Sequence, residues 1–234
     1  MAAWTVDASR CLVLVPYREA IEPACEAALR ALETRGYPVR RSDASAAIDR
    51  ARSELATQAL SDGYEEILWV DADIGFEPDA VERIRSHGLP LVGGLFAKRG
   101  KREFGCHFLP GTPEVTLGVG GGPVEVRYVG TAFLLTHRRL YEDIARTSEL
   151  PVCNAKFNVP TVPYFLPMVV RDPSFDHWYL SEAWSFCERA RQAGHKVMVD
   201  SSIRLWHIGR YGYGWEDVAV AVQRTPTAKI RFSG

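Results

Sequence analysis

The chain has 234 residues, of which 47% are hydrophobic and 24% charged, an ordinary globular composition that excludes a disordered chain. Its 28 basic and 29 acidic residues give a formal net charge of −1, which excludes the broad basic surface of a nucleic-acid-binding protein. The five cysteines have no C-x-x-C spacing, and no apolar stretch approaches the about 20 residues of a membrane span. We therefore expect a cytoplasmic protein with no disulfide framework, cysteine zinc site or integral membrane segment.

Strands and helices alternate along the first 95 residues. Short apolar runs and alternating residues predict strands at 11–15, 37–41 and 67–70. Apolar residues at helical spacing predict helices at 23–35, 48–60 and 78–86. This alternation predicts a parallel, doubly wound sheet, in which ligands bind beyond the carboxyl ends of the strands.

The second half of the chain has a different pattern. A hairpin is predicted over 116–129, turning at Gly120–Gly122, which lacks the Lys-Ser/Thr and helix of a phosphate loop. Prolines mark 151–173 as a long ordered loop. The remaining predicted elements are strands at 133–135, 197–199 and 203–206 and helices at 138–146 and 181–194. With no internal repeat and no linker, one domain is expected.

Two carboxylates, Asp71 and Asp73, directly follow the apolar strand at 67–70. Placed side by side they would repel each other and lose hydration, and a hard divalent cation relieves both costs. A lone D-x-D is a weak signal, since either residue could simply cap a turn. The strand before it, with Gly75 and Pro78 after it, makes a cation site the favoured interpretation.

Several motifs together resemble a nucleotide-sugar glycosyltransferase of the GT-A fold, similar to family 2. They are L-V-P-Y-R after the first strand, Ala51-Arg52, W-V-D-A-D-I, Gly130-Thr-Ala-Phe-Leu-Leu, the helix opening at Ser181, and Leu205-Trp-His207. The resemblance covers roughly residues 10–215, and its D-x-D segment and Ser181 helix are the more specific parts. It implies an αβα sandwich with a central mixed, mostly parallel sheet. It also implies a nucleotide-binding half at 1–100, an acceptor half at 101–215 and a tail at 216–234.

The resemblance implies a site for Mn²⁺ or Mg²⁺ that bridges the diphosphate of a nucleotide-sugar donor. Asp71, Asp73 and His207 would hold the ion, and the less favoured alternative for His207 is a core histidine beside Trp206. The implied nucleotide-binding residues are Pro16, Tyr17, Arg18, Asp43, Arg52, Asp71, Ala72 and Lys98. The basic run Lys98–Arg102 would neutralise the leaving group, or else is a solvated loop.

The general base of inverting relatives is an aspartate in an E-D pair, and this chain has Glu182-Ala183 in its place. Alanine cannot accept a proton, so three explanations stay open. Glu182 acts after a one-residue shift, the enzyme is retaining, or Ala183 replaces a lost aspartate naturally or by engineering. The last is slightly favoured, and it predicts that Ala183→Asp raises transfer about 10²–10⁴-fold.

The predicted function is metal-dependent transfer of a sugar, with UDP-sugar and inversion as modest preferences, to an acceptor hydroxyl of unknown identity. The expected acceptor or sugar contacts are Gly130, Thr131, Trp178, Tyr211 and Tyr213, of which the last two could also pack as a tail on the core. One alternative is a sugar nucleotidyltransferase, although Val15-Pro-Tyr-Arg-Glu is not the glycine-rich loop of that class. The other is a catalytically impaired nucleotide-sugar-binding domain, which Ala183 favours.

Overall fold

The computed structural model describes residues 7–44, 47–100, 103–172, 176–209, 211–218 and 227–232. The helices are α1 (Pro23–Thr34), α2 (Ile48–Ser61), α3 (Asp79–Ser86), α4 (Arg138–Thr147) and α5 (Glu182–Gln192). The first strands are β1 (Cys11–Tyr17), β2 (Val39–Asp43), β3 (Glu66–Val70), β4 (Ile74–Phe76), β5 (Leu91–Gly94), β6 (Cys106–Phe108) and β7 (Glu114–Gly118). The others are β8 (Pro123–Val129), β9 (Phe133–His137), β10 (Met168–Asp172), β11 (Asp176–Leu180), β12 (Val197–Asp200), β13 (Leu205–His207) and β14 (Thr227–Arg231).

A mixed sheet of eight strands, in the order β2-β1-β3-β9-β5-β12-β8-β6, forms the centre of the fold. Within the described residues, the pairs β1–β2, β1–β3 and β5–β12 are parallel and the other four are antiparallel. The α/β class and the mixed sheet are confirmed, but the expectation of a mostly parallel sheet is wrong. The reason is β9, which comes from the second half of the chain and runs antiparallel between β3 and β5.

Apolar side chains alternate between the two faces of the central sheet and create a core on each side. In β1, Leu12 and Leu14 belong to one core, and Cys11, Val13 and Val15 belong to the other. Buried residues of α2, α4 and α5 complete the first core, and those of α1 and α3 complete the second. The helices therefore cover both faces, as in the αβα sandwich that the resemblance implies.

Pairing in the second half differs from the predicted pattern. The strands flanking Gly120–Gly122 exist, but β7 pairs with β14 while β8 pairs with β6 and β12, so they do not form the predicted hairpin with each other. The predicted loop at 151–173 contains β10, which pairs with β11. The first difference arises because β7 pairs with β14, far along the chain, which local patterns do not specify. The second is a local hairpin whose strands the prolines of the segment obscured. No helix among the described residues is long and apolar enough to cross a bilayer.

Candidate active site

The carboxylate of Asp71, just past β3, is bound by a buried arginine from α2. Arg52 Nη2 donates to Asp71 Oδ1 at 2.6 Å, and the Arg52 side chain is only 3% exposed. Its guanidinium carbon lies 5.4 Å from the centre of the Trp69 ring. Arg52 Nε and Nη1 are buried and have no hydrogen-bond partner within the described part of the chain. A buried donor without an acceptor costs about 1–3 kcal/mol, and more when charged, so these nitrogens favour a bound oxygen ligand.

The short ladder between β4 and β13 brings Asp73 and His207 together from distant parts of the sequence. His207 pairs with Ile74, and the amide of Ile208 donates to the Asp73 carbonyl at 2.7 Å. His207 Nε2 then lies 3.4 Å from Asp73 Oδ2, which also contacts Arg99 Nη1 at 3.1 Å. The side chains of Asp73 and His207 therefore lie close together, although the two residues are far apart in the sequence.

The hydrogen bonds of His207 determine how its ring faces Asp73. Its Nδ1 lies 2.9 Å from the carbonyl oxygen of Ala97, and because that oxygen can only accept, Nδ1 carries the proton. When the ring is protonated, Nε2 also carries a proton and donates to the Asp73 carboxylate. In the neutral ring, Nε2 has a lone pair that a cation between the two side chains would accept. A histidine whose other nitrogen donates to a carbonyl is the usual arrangement at a metal, so Asp73 and His207 suit a shared cation.

The electrostatic surroundings favour an ionised Asp73. Burial opposes ionisation, but the hydrogen bond with His207 and the charges of His207 and Arg99 outweigh it, so the pKa of Asp73 is lowered. Within the described residues, no group of three or more His, Cys, Asp and Glu side chains converges. Asp73 and His207 thus form a pair, whereas Asp71 faces Arg52. A hard cation held by Asp73 and His207 would take its further oxygen ligands from water or phosphate.

Two adjoining cavities meet at Arg52, Asp71 and Glu182. The larger, about 610 Å³, is also lined by the predicted nucleotide residues Pro16, Tyr17, Arg18 and Ala72, and by Asp73 and Arg99. The smaller, about 360 Å³, is also lined by Lys98, Gly130, Thr131, Ala183 and Trp184. The structure thus brings most of the predicted site residues into one continuous cleft.

Five predicted site residues lie outside the lining of these cavities. His207 is one of them, although it contacts the lining residue Asp73. Asp43 is exposed at the end of β2, and its neighbour Ala44 lines the larger cavity in its place. Tyr211 and Tyr213 pack against each other with ring centres 5.0 Å apart, and Tyr213 pairs with the backbone of His207. Trp178 packs against Trp184, with ring centres 5.5 Å apart, so it supports a lining residue. Lys101 and Arg102 of the basic run lie outside the described residues.

The first residues of α5 form the boundary between the two cavities. Ala183 is 6% exposed and belongs to the wall of the smaller cavity. Glu182 is half-buried and lines both cavities. Glu182 and Ala183 are the two candidate positions for the general base. Glu182, which has a carboxylate, therefore lies where the two cavities meet.

Sequence reasoning missed Trp184 and Phe96 as parts of the site. Trp184 lines the smaller cavity, and Lys98 Nζ lies 5.7 Å from the centre of its ring. Phe96 lines the same cavity and meets the His207 ring edge-on at 5.7 Å. Trp184 directly follows Ala183 in the motif at the start of α5, so its place in the site could have been predicted. No local sequence feature indicates Phe96.

We expect Gly130→Ala to lower the free energy of unfolding by about 1–3 kcal/mol, the usual cost of overpacking a core. A Cβ at this position would lie 2.7 Å from the buried Phe96 ring, which is also packed against Gly105. Gly122→Ala is the matched control, because a Cβ there meets nothing within 4 Å. Urea unfolding of both variants measures their free energies of unfolding. Equal losses of stability would contradict close packing of Gly130 against Phe96 in the wall of the smaller cavity.

The chain is similar to known proteins in its fold, and this similarity covers most of its length. No family model matches the sequence, and no curated protein matches it. The crystal structure of A197 from STIV is similar with a TM-score of 0.52 and 14% identity, over 92% of this chain and 97% of A197.

Two further structures are similar at a lower level, each with a TM-score of 0.36. One is a glycosyltransferase involved in glycosylation of the major capsid of PBCV-1, 15% identical over 63% of this chain and 68% of its own. The other is the 1-349 fragment of S. aureus TarS, 13% identical over 82% of this chain and 58% of its own. At these identities, the comparisons establish a shared fold with A197, and the activity has to be argued from the site.

Proposed function

We propose that this chain is a metal-dependent glycosyltransferase that transfers a sugar from a nucleotide diphosphate to an acceptor hydroxyl. The observation that carries the proposal is Arg52, whose buried Nε and Nη1 find no acceptor among the described residues and which lines both cavities. A guanidinium with free donors suits the oxygens of a phosphate, and the Asp73–His207 pair beside it suits a cation that binds the same group.

The larger cavity has the size and lining for the nucleotide. Ligand cavities are commonly about 300–1,000 Å³, and this one is about 610 Å³. Tyr17 and Arg18 leave β1 at its wall, where the aromatic ring and the cation can contact the base and ribose. The diphosphate would then lie towards Arg52 and Asp73, and the sugar towards the smaller cavity.

Cationic groups surround the position of the leaving diphosphate. Arg52 and Arg99 line the larger cavity, and Arg52 and Lys98 line the smaller one. Fixed positive charges at a developing negative charge lower the barrier, because they need no reorganisation during the reaction. When bound by Asp73 and His207, Mn²⁺ or Mg²⁺ would add Lewis-acid stabilisation of the same charge.

Glu182 is the residue that we assign as general base. Its carboxylate belongs to both cavities and would therefore lie between the donor sugar and an acceptor hydroxyl in the smaller cavity. Ala183 contributes space in that cavity instead of a proton acceptor. With this assignment, the general base is shifted by one residue to Glu182, and we no longer favour the explanation that an aspartate was lost at position 183. Inversion remains the expected stereochemistry, and UDP remains the expected nucleotide.

A second candidate is a nucleotide-sugar-binding domain without turnover, which the alanine at 183 favours. A thermal-shift panel of nucleotide sugars with Mn²⁺ tests the proposal, because a ligand at 100 times its Kd adds about 2.7 kcal/mol of stability. We expect stabilisation by UDP-sugars with the metal and slow release of UDP. Stabilisation without release would favour the binding domain, and no stabilisation by any nucleotide sugar would reject both.

A further inference from the structure

A loop outside the cleft carries four of the nine exposed large apolar side chains of the described residues. We call residues 151–166 the Phe157 loop. Phe157 is 64% exposed, Val152 62%, Leu166 50% and Val159 44%. Val169 of β10 and Tyr179 of β11, which pair across their ladder, are exposed as well. Exposed apolar groups gathered in one segment commonly mark an interaction site.

The backbone of the Phe157 loop is held in one conformation. Cys153 and Thr161 exchange amide-to-carbonyl hydrogen bonds of 2.8 and 3.0 Å across its base. Asn154 and Asn158 have φ values of 58° and 59° on either side of the turn Ala155–Phe157. Asparagine adopts this left-handed backbone more readily than other non-glycine residues, so the sequence suits the turn that presents Phe157.

Some of the polar groups of this loop are bonded within it. The amides of Phe157 and Asn158 donate to the carbonyls of Asn154 and Ala155 at 2.9 and 3.0 Å, and Thr161 Oγ1 donates to the carbonyl of Val159 at 2.9 Å. Pro151, Pro160 and Pro163 have no amide proton to satisfy. These features reduce the number of backbone groups that lose water when the loop meets a lipid interface, where unpaired backbone groups are expensive.

The charge of the Phe157 loop is basic. Its one charged residue is Lys156, and the nearest acidic residues in the sequence are Glu149 before the loop and Asp172 after it. Lys156 Nζ lies 4.8 Å from the centre of the Phe157 ring, so charge and apolar surface share the tip. A lysine beside an apolar tip can keep its ammonium at the headgroups while its stem packs in the interface.

We propose that the Phe157 loop docks on an anionic lipid surface, with Phe157 and Val159 in the interface and Lys156 at the headgroups. Docking would also orient the cleft. The amide of Val162 donates to Thr57 Oγ1 at 2.9 Å and that of Phe165 to Ser53 Oγ at 3.2 Å, which fastens the loop to α2, the helix that carries Arg52.

Vesicle co-sedimentation of the full chain tests this inference. The probes are vesicles of phosphatidylcholine alone and of phosphatidylcholine and phosphatidylserine in equal parts. We expect binding to the anionic vesicles that Phe157→Ser weakens about tenfold, the factor for withdrawing one large apolar side chain from the interface. Lys156→Glu should weaken it by at least about fivefold, the effect of one charge near an anionic surface. The control is Val119→Ser, which removes an apolar side chain that is 75% exposed outside this loop.

Each other outcome overturns the proposal. Absence of binding to both vesicle types, or equal binding by Phe157→Ser and the parent chain, would show that the loop does not enter lipid. A concentration-dependent dimer that Phe157→Ser abolishes would show that a second copy occupies the surface. The readouts do not involve nucleotide or turnover, so they are independent of the proposed glycosyl transfer.

Discussion

Asp73→Ala is expected to abolish Mn²⁺-dependent nucleotide binding and to reduce the rate of donor cleavage roughly 10³-fold, since a catalytic cation supplies several kcal/mol. The reason is the position of Asp73, whose Oδ2 lies 3.4 Å from His207 Nε2 and whose pKa is lowered, so that it is an ionised ligand at neutral pH. Isothermal titration of UDP with and without Mn²⁺ measures the binding, and released UDP measures the cleavage.

The matched control for Asp73→Ala is Asp79→Asn, at an aspartate whose side chain is 85% exposed at the start of α3. It should behave like the parent chain in both assays. Because Arg99 also contacts Asp73, we expect Arg99→Ala to retain the metal dependence that Asp73→Ala loses. If Asp73→Ala keeps full Mn²⁺-dependent binding, the metal site lies elsewhere.

Glu182→Gln is expected to lower the rate of donor cleavage about 10²–10⁴-fold, the usual contribution of a general base. The amide keeps the shape of the side chain at the junction of the cavities but cannot accept a proton. Nucleotide binding should change little, since the base acts on the acceptor. Steady-state release of UDP, with water as acceptor, separates the effect on kcat from that on KM.

Two comparisons make the Glu182 prediction specific. Glu142→Gln, at an exposed position of α4, should leave the rate unchanged. Ala183→Asp distinguishes the two base positions, because it adds a carboxylate to the wall of the smaller cavity. A strong gain of activity in Ala183→Asp, with no loss in Glu182→Gln, would return the base to position 183.

Three strands and the three helices of the first half were predictable because their information is local, whereas β4 and β5 were not predicted. Helical spacing gave the bounds of α2 to within a residue, and the buried run ending at Val70 placed Asp71 and Asp73 at the carboxyl end of a strand. The antiparallel insertion of β9 was not predictable, because strand order depends on pairing between distant segments. β10 was missed for a local reason, since the prolines before it are typical of a loop, although its partner β11 follows it directly.

The chemistry of the site was partly readable from the sequence. Arg52, Asp73 and His207 were identified from motifs, but the ion pair between Arg52 and Asp71 and the unpartnered guanidinium nitrogens depend on burial, which a motif does not reveal. The ligand contacts expected of Tyr211 and Tyr213 stay a prediction. Their rings pack on each other, and Tyr211 is 46% exposed.

Product identification after incubation of the chain with UDP-glucose and Mn²⁺ is the most direct test of sugar transfer. Cleavage between the anomeric carbon and the diphosphate gives UDP and a free or transferred sugar, and it should stop when EDTA removes the metal. In a parallel incubation with added pyrophosphate, formation of sugar 1-phosphate and UTP would instead show cleavage between the phosphates, as in nucleotidyl transfer, and would contradict glycosyl transfer at this site.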